Sequence, residues 1–188
     1  MIYGAGDNIH TGCRVECEEN KMRTKRLVLT GMIFAMAIIL SVAEDAFPPL
    51  PLPVPGVKFG LSNIAVMYAL FFLSTRQAFS VAVLKSVFVL ATRGMTAGIL
   101  SFSGGILSLA VMLLIFKAFR NKPSIATISI SGAIAHNVGQ FAAIAIIYSG
   151  MSLWAYLPLL LVSGAIAGIV TASLLKVIIP VLDRLDLF

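Results

Sequence analysis

Residues 125–148 read IATISISGAIAHNVGQFAAIAIIY. The stretch carries no Asp, Glu, Lys or Arg, and it is long enough to cross a bilayer core, which takes about 20 apolar residues in a helix. At its centre sit His136, Asn137 and Gln140. The apolar length points to a membrane helix. The polar centre points to a helix that faces something other than lipid, because polar groups at membrane depth turn toward the bundle interior or a cavity.

Composition agrees with that reading. Of the 188 residues, 59% are hydrophobic and 12% charged, whereas a soluble domain has roughly a quarter of its residues charged. Apolar blocks recur at Leu27–Ala43, Phe59–Leu73, Ala78–Thr92, Thr96–Phe116, Ile125–Tyr148 and Leu153–Ile179. The last three are comfortably long for a crossing and the first is at the short end. The second and third are shorter, and the polar turn Ser74–Gln77 between them allows a buried hairpin that does not cross cleanly. The expected fold is all-α, a polytopic compact bundle of about six transmembrane helices.

The net charge of +6 does not point to nucleic acid, because the basic residues sit at block ends, where they set orientation. With six crossings, Lys21, Arg23, Lys25, Arg26, Arg76, Lys117, Arg120, Lys122, Lys176 and Arg184 fall on one side. Lys58 and Arg93 fall on the other, and Lys85 lies inside the third block. That asymmetry predicts both termini in the cytoplasm. Residues 1–23 form a polar leader, expected to be disordered, and 24–188 the membrane domain. Cys13 and Cys17 lie in the leader with only His10 nearby, too few ligands for a structural zinc site. No metal and no cofactor is expected.

The connection Glu44–Lys58 reads EDAFPPLPLPVPGVK. Its prolines exclude a helix and favour a stiff, extended course, either as a lid over the bundle mouth or as a plain connector. His136 and Gln140, four apart, share a helix face. They either bind a ligand or hold helices together by hydrogen bonds. Asn63 lies one turn into the second block. Lys85 needs a partner at depth, and Glu44, Asp45, backbone carbonyls, water or an anionic ligand are the choices. Together Lys58, Lys85 and Arg93 outweigh Glu44 and Asp45, which suits a ligand bearing carboxylate or phosphate.

Small residues recur at helical spacing as Gly31-x-x-x-Ala35, Gly94-x-x-x-Gly98 and Gly164-x-x-x-Gly168. Such pairs let helices approach closely, inside the chain or against a partner. There is no G-x-x-x-x-G-K-[ST] for ATP and no aspartate-rich element to hold magnesium and a diphosphate.

The runs PGVKFGLSNI (Pro55–Ile64), SISGAIAHNVGQ (Ser129–Gln140) and GAIAG (Gly164–Gly168) resemble one family, the Gx transporter group, also catalogued as heptaprenyl diphosphate synthase component I. The resemblance covers roughly residues 24–182. That family is similar to the substrate-binding S components of energy-coupling-factor transporters, six-helix proteins that take a micronutrient from outside and join a transmembrane coupling subunit and two ATPases. The resemblance implies a ligand pocket lined by Lys58, Asn63, His136, Asn137 and Gln140, to which the reading of buried charges adds Glu44, Lys85 and Arg93. It implies a coupling-subunit contact at Gly31 and Ala35, and a bacterial plasma membrane location. The alternative is a membrane accessory of heptaprenyl diphosphate synthesis. Without metal-binding aspartates, the chain is not expected to be the catalyst.

Overall fold

The computed structural model describes residues 6–45, 62–119, 124–148 and 153–183. Among these residues it is all-helical, with α1 Gly6–Asp45, α2 Asn63–Phe72, α3 Thr75–Arg93, α4 Met95–Ala118, α5 Ile125–Ile147 and α6 Leu157–Asp183, and a 3-10 turn at Leu153–Tyr156. Four of these helices contain stretches long and apolar enough to cross a membrane: Glu18–Glu44, Met95–Ala118, Ile125–Ile147 and Leu157–Val177. Their outward faces carry Leu27, Leu114, Ile146 and Val177, each at least 66% exposed, as a lipid-facing surface requires.

α1 begins well before its apolar block. It is helical from Gly6 onward, through most of the 1–23 leader expected to be disordered. No proline interrupts residues 6–45, so the backbone can satisfy its own hydrogen bonds without a break. An exposed Arg23–Glu19 ion pair spans one turn of this segment at 2.6 Å, a spacing that supports a helix modestly.

The short second block becomes a core element. α2 has 10 residues, about 15 Å of helix, half of a bilayer core. Asn63 through Leu70 are all buried. A helix apolar on every side is one that is surrounded, and here Ile33 and Ala37 of α1, Val81 and Ala82 of α3, Met112 of α4, Ile128 of α5 and Leu175 of α6 join the same core. α2 is therefore a core element within the bundle.

Two tight connections fix the elements around it. Ser74 caps α3: its Oγ accepts from the Gln77 amide at 3.4 Å and donates to the Gln77 side chain at 2.8 Å, a variant of the capping box. α3 then runs 19 residues, longer than its apolar block. A single residue, Gly94, joins α3 to α4 at φ +87°, a conformation that glycine adopts without penalty. Beyond it, a Cβ on Gly98 would lie 2.7 Å from Leu90 Cβ, so the second glycine of that pair brings α3 and α4 together.

α4 packs between α3 and α5, and α5 between α4 and α6. The α4–α5 contact is nearly backbone to backbone, since a Cβ on Gly139 would meet Ser103 O at 2.8 Å. The α5–α6 contact is closer still: a Cβ on Gly168 would sit 2.5 Å from Ile130 Cα, and one on Gly164 3.2 Å from Ile134 Cα. The Gly164-x-x-x-Gly168 pair thus serves packing within the chain.

Candidate functional site

Four helices and the start of α2 enclose a polar cleft. Ser41 and Glu44 come from α1, Ser62 from the N-terminal end of α2, Lys85, Val89 and Arg93 from α3, Ala97 and Ser101 from α4, and His136 and Gln140 from α5. Helical geometry explains the set. Lys85, Val89 and Arg93 are successive fours on one face of α3, and His136 and Gln140 are four apart on α5. Ser41 and Glu44 share a face of α1 at a spacing of three.

The cleft's electrostatics are mildly positive. Glu44 is 5% exposed and Lys85 also 5%, and Glu44 is electrostatically coupled to both Lys85 and Arg93. Arg93 is half-buried and also donates to Ser41 O at 2.6 Å and to Ser41 Oγ at 3.2 Å. Of the partners considered for Lys85 in the sequence, Glu44 lines the same cleft, and the described lining residues hold two cations and one carboxylate. Away from bulk water such an imbalance attracts an anion.

The α5 side supplies hydrogen-bonding atoms. His136 and Gln140 are buried, and Gln140 Nε2 lies 3.2 Å from His136 Nε2. Gln140 Oε1 makes no hydrogen bond among the described residues. Whichever way round the amide sits, one of its polar atoms lies in the cleft wall unpaired. Gly104 makes room for the ring, since a Cβ there would come within 2.8 Å of His136 Nδ1. The free volume of the cleft is about 20 Å³, enough for about one water molecule.

Not every predicted residue arrives here. Asn63 is buried between α2 and α4, where its Nδ2 donates to Ser108 Oγ at 2.8 Å and Ser108 donates in turn to Gly132 O on α5 at 2.8 Å. Asn137 faces α6, donating from Nδ2 to Leu160 O at 2.8 Å and to Ser163 Oγ at 3.2 Å. Both lie in helix seams rather than in the cleft lining, because residues one step apart on a helix point about 100° apart. Lys58 and the proline-rich connection from residue 46 fall outside the described residues. Gly31 and Ala35 are exposed on α1, and a Cβ at Gly31 would touch nothing within 4 Å.

The sequence reading missed Ser41, Ser62, Val89, Ala97 and Ser101. Small hydroxyls in apolar helices carry little signal alone. Ser41 was the most findable, one turn before Glu44. Among the described residues no three His, Cys, Asp or Glu side chains gather as a metal site would need.

A family model described as heptaprenyl diphosphate synthase component I matches residues 33–178. No curated protein and no solved structure matches the chain. The match covers most of the chain, from α1 to α6, and the chain belongs to that family.

Proposed function

We propose that this member of the heptaprenyl diphosphate synthase component I family is a membrane-embedded binding subunit. It takes a small anionic ligand into the Lys85 cleft from the external side. In this reading it is the substrate-binding component of an energy-coupling-factor type uptake system. The observation that carries the reading is the cleft itself: Lys85, Arg93 and Glu44 line it beside Gln140, whose Oε1 makes no hydrogen bond among the described residues. The cations receive a carboxylate or phosphate, and Gln140 and His136 receive a polar group elsewhere on the ligand. A ligand larger than water enters as the half-buried Arg93 swings outward, which long side chains at a mouth can do.

Orientation and partners follow from the same reading. The basic block ends keep both termini on the cytoplasmic side of a bacterial plasma membrane. The exposed Gly31–Ala35 face of α1 meets a transmembrane coupling subunit, with ATPase subunits beneath it. Transport energy then comes from the partners, since the chain has no phosphate-binding loop of its own.

Thermal stabilisation of the purified chain by a panel of vitamins, cofactor precursors and isoprenoid phosphates tests the proposal. Stabilisation by one anionic member, lost in Lys85→Met, is expected. A flat response across the panel sinks it.

The family description favours a second reading, a non-catalytic membrane accessory of heptaprenyl diphosphate synthesis. Affinity purification from native membranes separates the two. Recovery of a soluble prenyl synthase without any ATPase supports the accessory, and recovery of an ATPase module supports transport.

A further inference from the structure

The basic end of the bundle holds another cavity, separate from the Lys85 cleft. It lies between α1 and the α2–α3 turn, has a volume of about 360 Å³, and is lined by Lys25, Arg26 and Leu29 on one side and Phe72, Leu73 and Gln77 on the other. Lys25 and Arg26 are exposed, and among the described residues neither side chain has an acidic partner. Arg23 differs, because Glu19 holds its guanidinium. Leu29, Phe72 and Leu73 are half-buried and form an apolar wall.

The cavity also sits where the lipid-facing surface of α1 begins. Leu27 is 74% exposed, and Val28 and Met32 are more than half exposed. An aqueous anion would use the two cations and leave the apolar wall idle. A molecule with a phosphate and a hydrocarbon chain uses both. Basic clusters directly beside a membrane helix attract anionic lipid by this combination, and the Lys and Arg stems themselves add apolar surface.

We propose that this cavity binds an anionic phospholipid, its phosphate on Lys25 and Arg26 and its first acyl carbons against Leu29, Phe72 and Leu73. The site is independent of the transport reading. α1 packs chiefly on α2 and α3, so a lipid wedged here braces the helix against the turn it leans on.

The test uses the full chain in nanodiscs of phosphatidylcholine with and without phosphatidylglycerol, with retained lipid counted by native mass spectrometry. The wild type should retain phosphatidylglycerol over phosphatidylcholine. Lys25→Gln/Arg26→Gln should cut that retention by about tenfold or more, two cations being removed from the membrane surface. Lys117→Gln, a basic position outside the cavity, should leave it unchanged. The charge-conserving Lys25→Arg/Arg26→Lys should retain the lipid, which separates lost charge from a loosened helix. Phe72→Ala should weaken retention with every charge intact. Equal retention of both lipids, or no effect of the charge-removing pair, overturns the proposal. Loss of lipid from the charge-conserving pair does the same. So does full displacement by soluble glycerol phosphate, which would make this an aqueous anion site. Restored retention on adding a purified coupling partner, but none without it, would mark the surface as a protein contact and overturn the lipid assignment.

Discussion

His136 and Asn137 are neighbours on α5, yet one looks into the cleft and the other into the α6 seam. The seam side is closed: Asn137 donates to α6, and Gly164 and Gly168 bring that helix within backbone contact. The cleft side is charged: among the described lining residues Lys85 and Arg93 stand with the carboxylate of Glu44, while each side keeps one amide oxygen without a hydrogen bond among the described residues, Asn137 Oδ1 in the seam and Gln140 Oε1 in the cleft. The same residue types thus sit in two settings, and glycines bring the next helix close in both. In the seam the Asn137 amide fastens α6. In the cleft His136 and Gln140 stand beside ionic side chains.

The sharpest way to break this contrast is to pry the seam. Gly168→Val sets a Cβ against Ile130 Cα at 2.5 Å, where neither backbone can yield, and should cost about 3 kcal/mol in thermal or denaturant unfolding in detergent. If Gly168→Val melts like wild type, the α5–α6 seam is not as close as described. Next in size is Lys85→Met, expected to weaken binding of the anionic ligand by about tenfold to a hundredfold, the worth of a charged hydrogen bond. Its melting temperature should move little, because Glu44 keeps Arg93. Titration of ligand by calorimetry reads the first effect, and a large fall in melting temperature without loss of affinity would reverse the roles assigned to cleft and seam. Asn137→Ala should do the opposite, losing about 0.6–2 kcal/mol of stability with affinity nearly intact. Smallest is Gly31→Ala on the open face of α1. Nothing lies within 4 Å of the added Cβ, so the isolated chain should unfold at the same temperature as wild type, and any clear drop would mean that α1 packs differently.

Much of the architecture was legible. Apolar length gave the helices, and Ser74–Gln77 marked a turn because its chemistry is local; the Gly94 turn was not read, since that glycine was taken only as half of a packing pair. The convergence of Glu44, Lys85, Arg93, His136 and Gln140 was legible as a set, since a buried ion at membrane depth needs company. The placement of Asn63 and Asn137 was not. Choosing between cleft and seam takes the rotation of each helix against its neighbour, which an amide in an apolar run does not reveal. The core role of α2 was only half visible. Its shortness could be read, but the burial of Asn63 through Leu70 depends on five other helices closing around it. The helical course of residues 6–23 was hidden because a polar composition resembles a leader whether or not it continues a helix.

The half-length of α2 has a consequence for hydration. A helix that begins inside the protein brings its first-turn amides with it, and those have no partner within the helix. Asn63 is buried, Ser62 makes no side-chain capping bond, and Ser62 opens onto the cleft. Lipid can satisfy none of these groups. The lining at that point therefore favours water over hydrocarbon. In the proposed binding role a polar ligand would exchange with that water, and a purely oily molecule would meet a disfavoured surface.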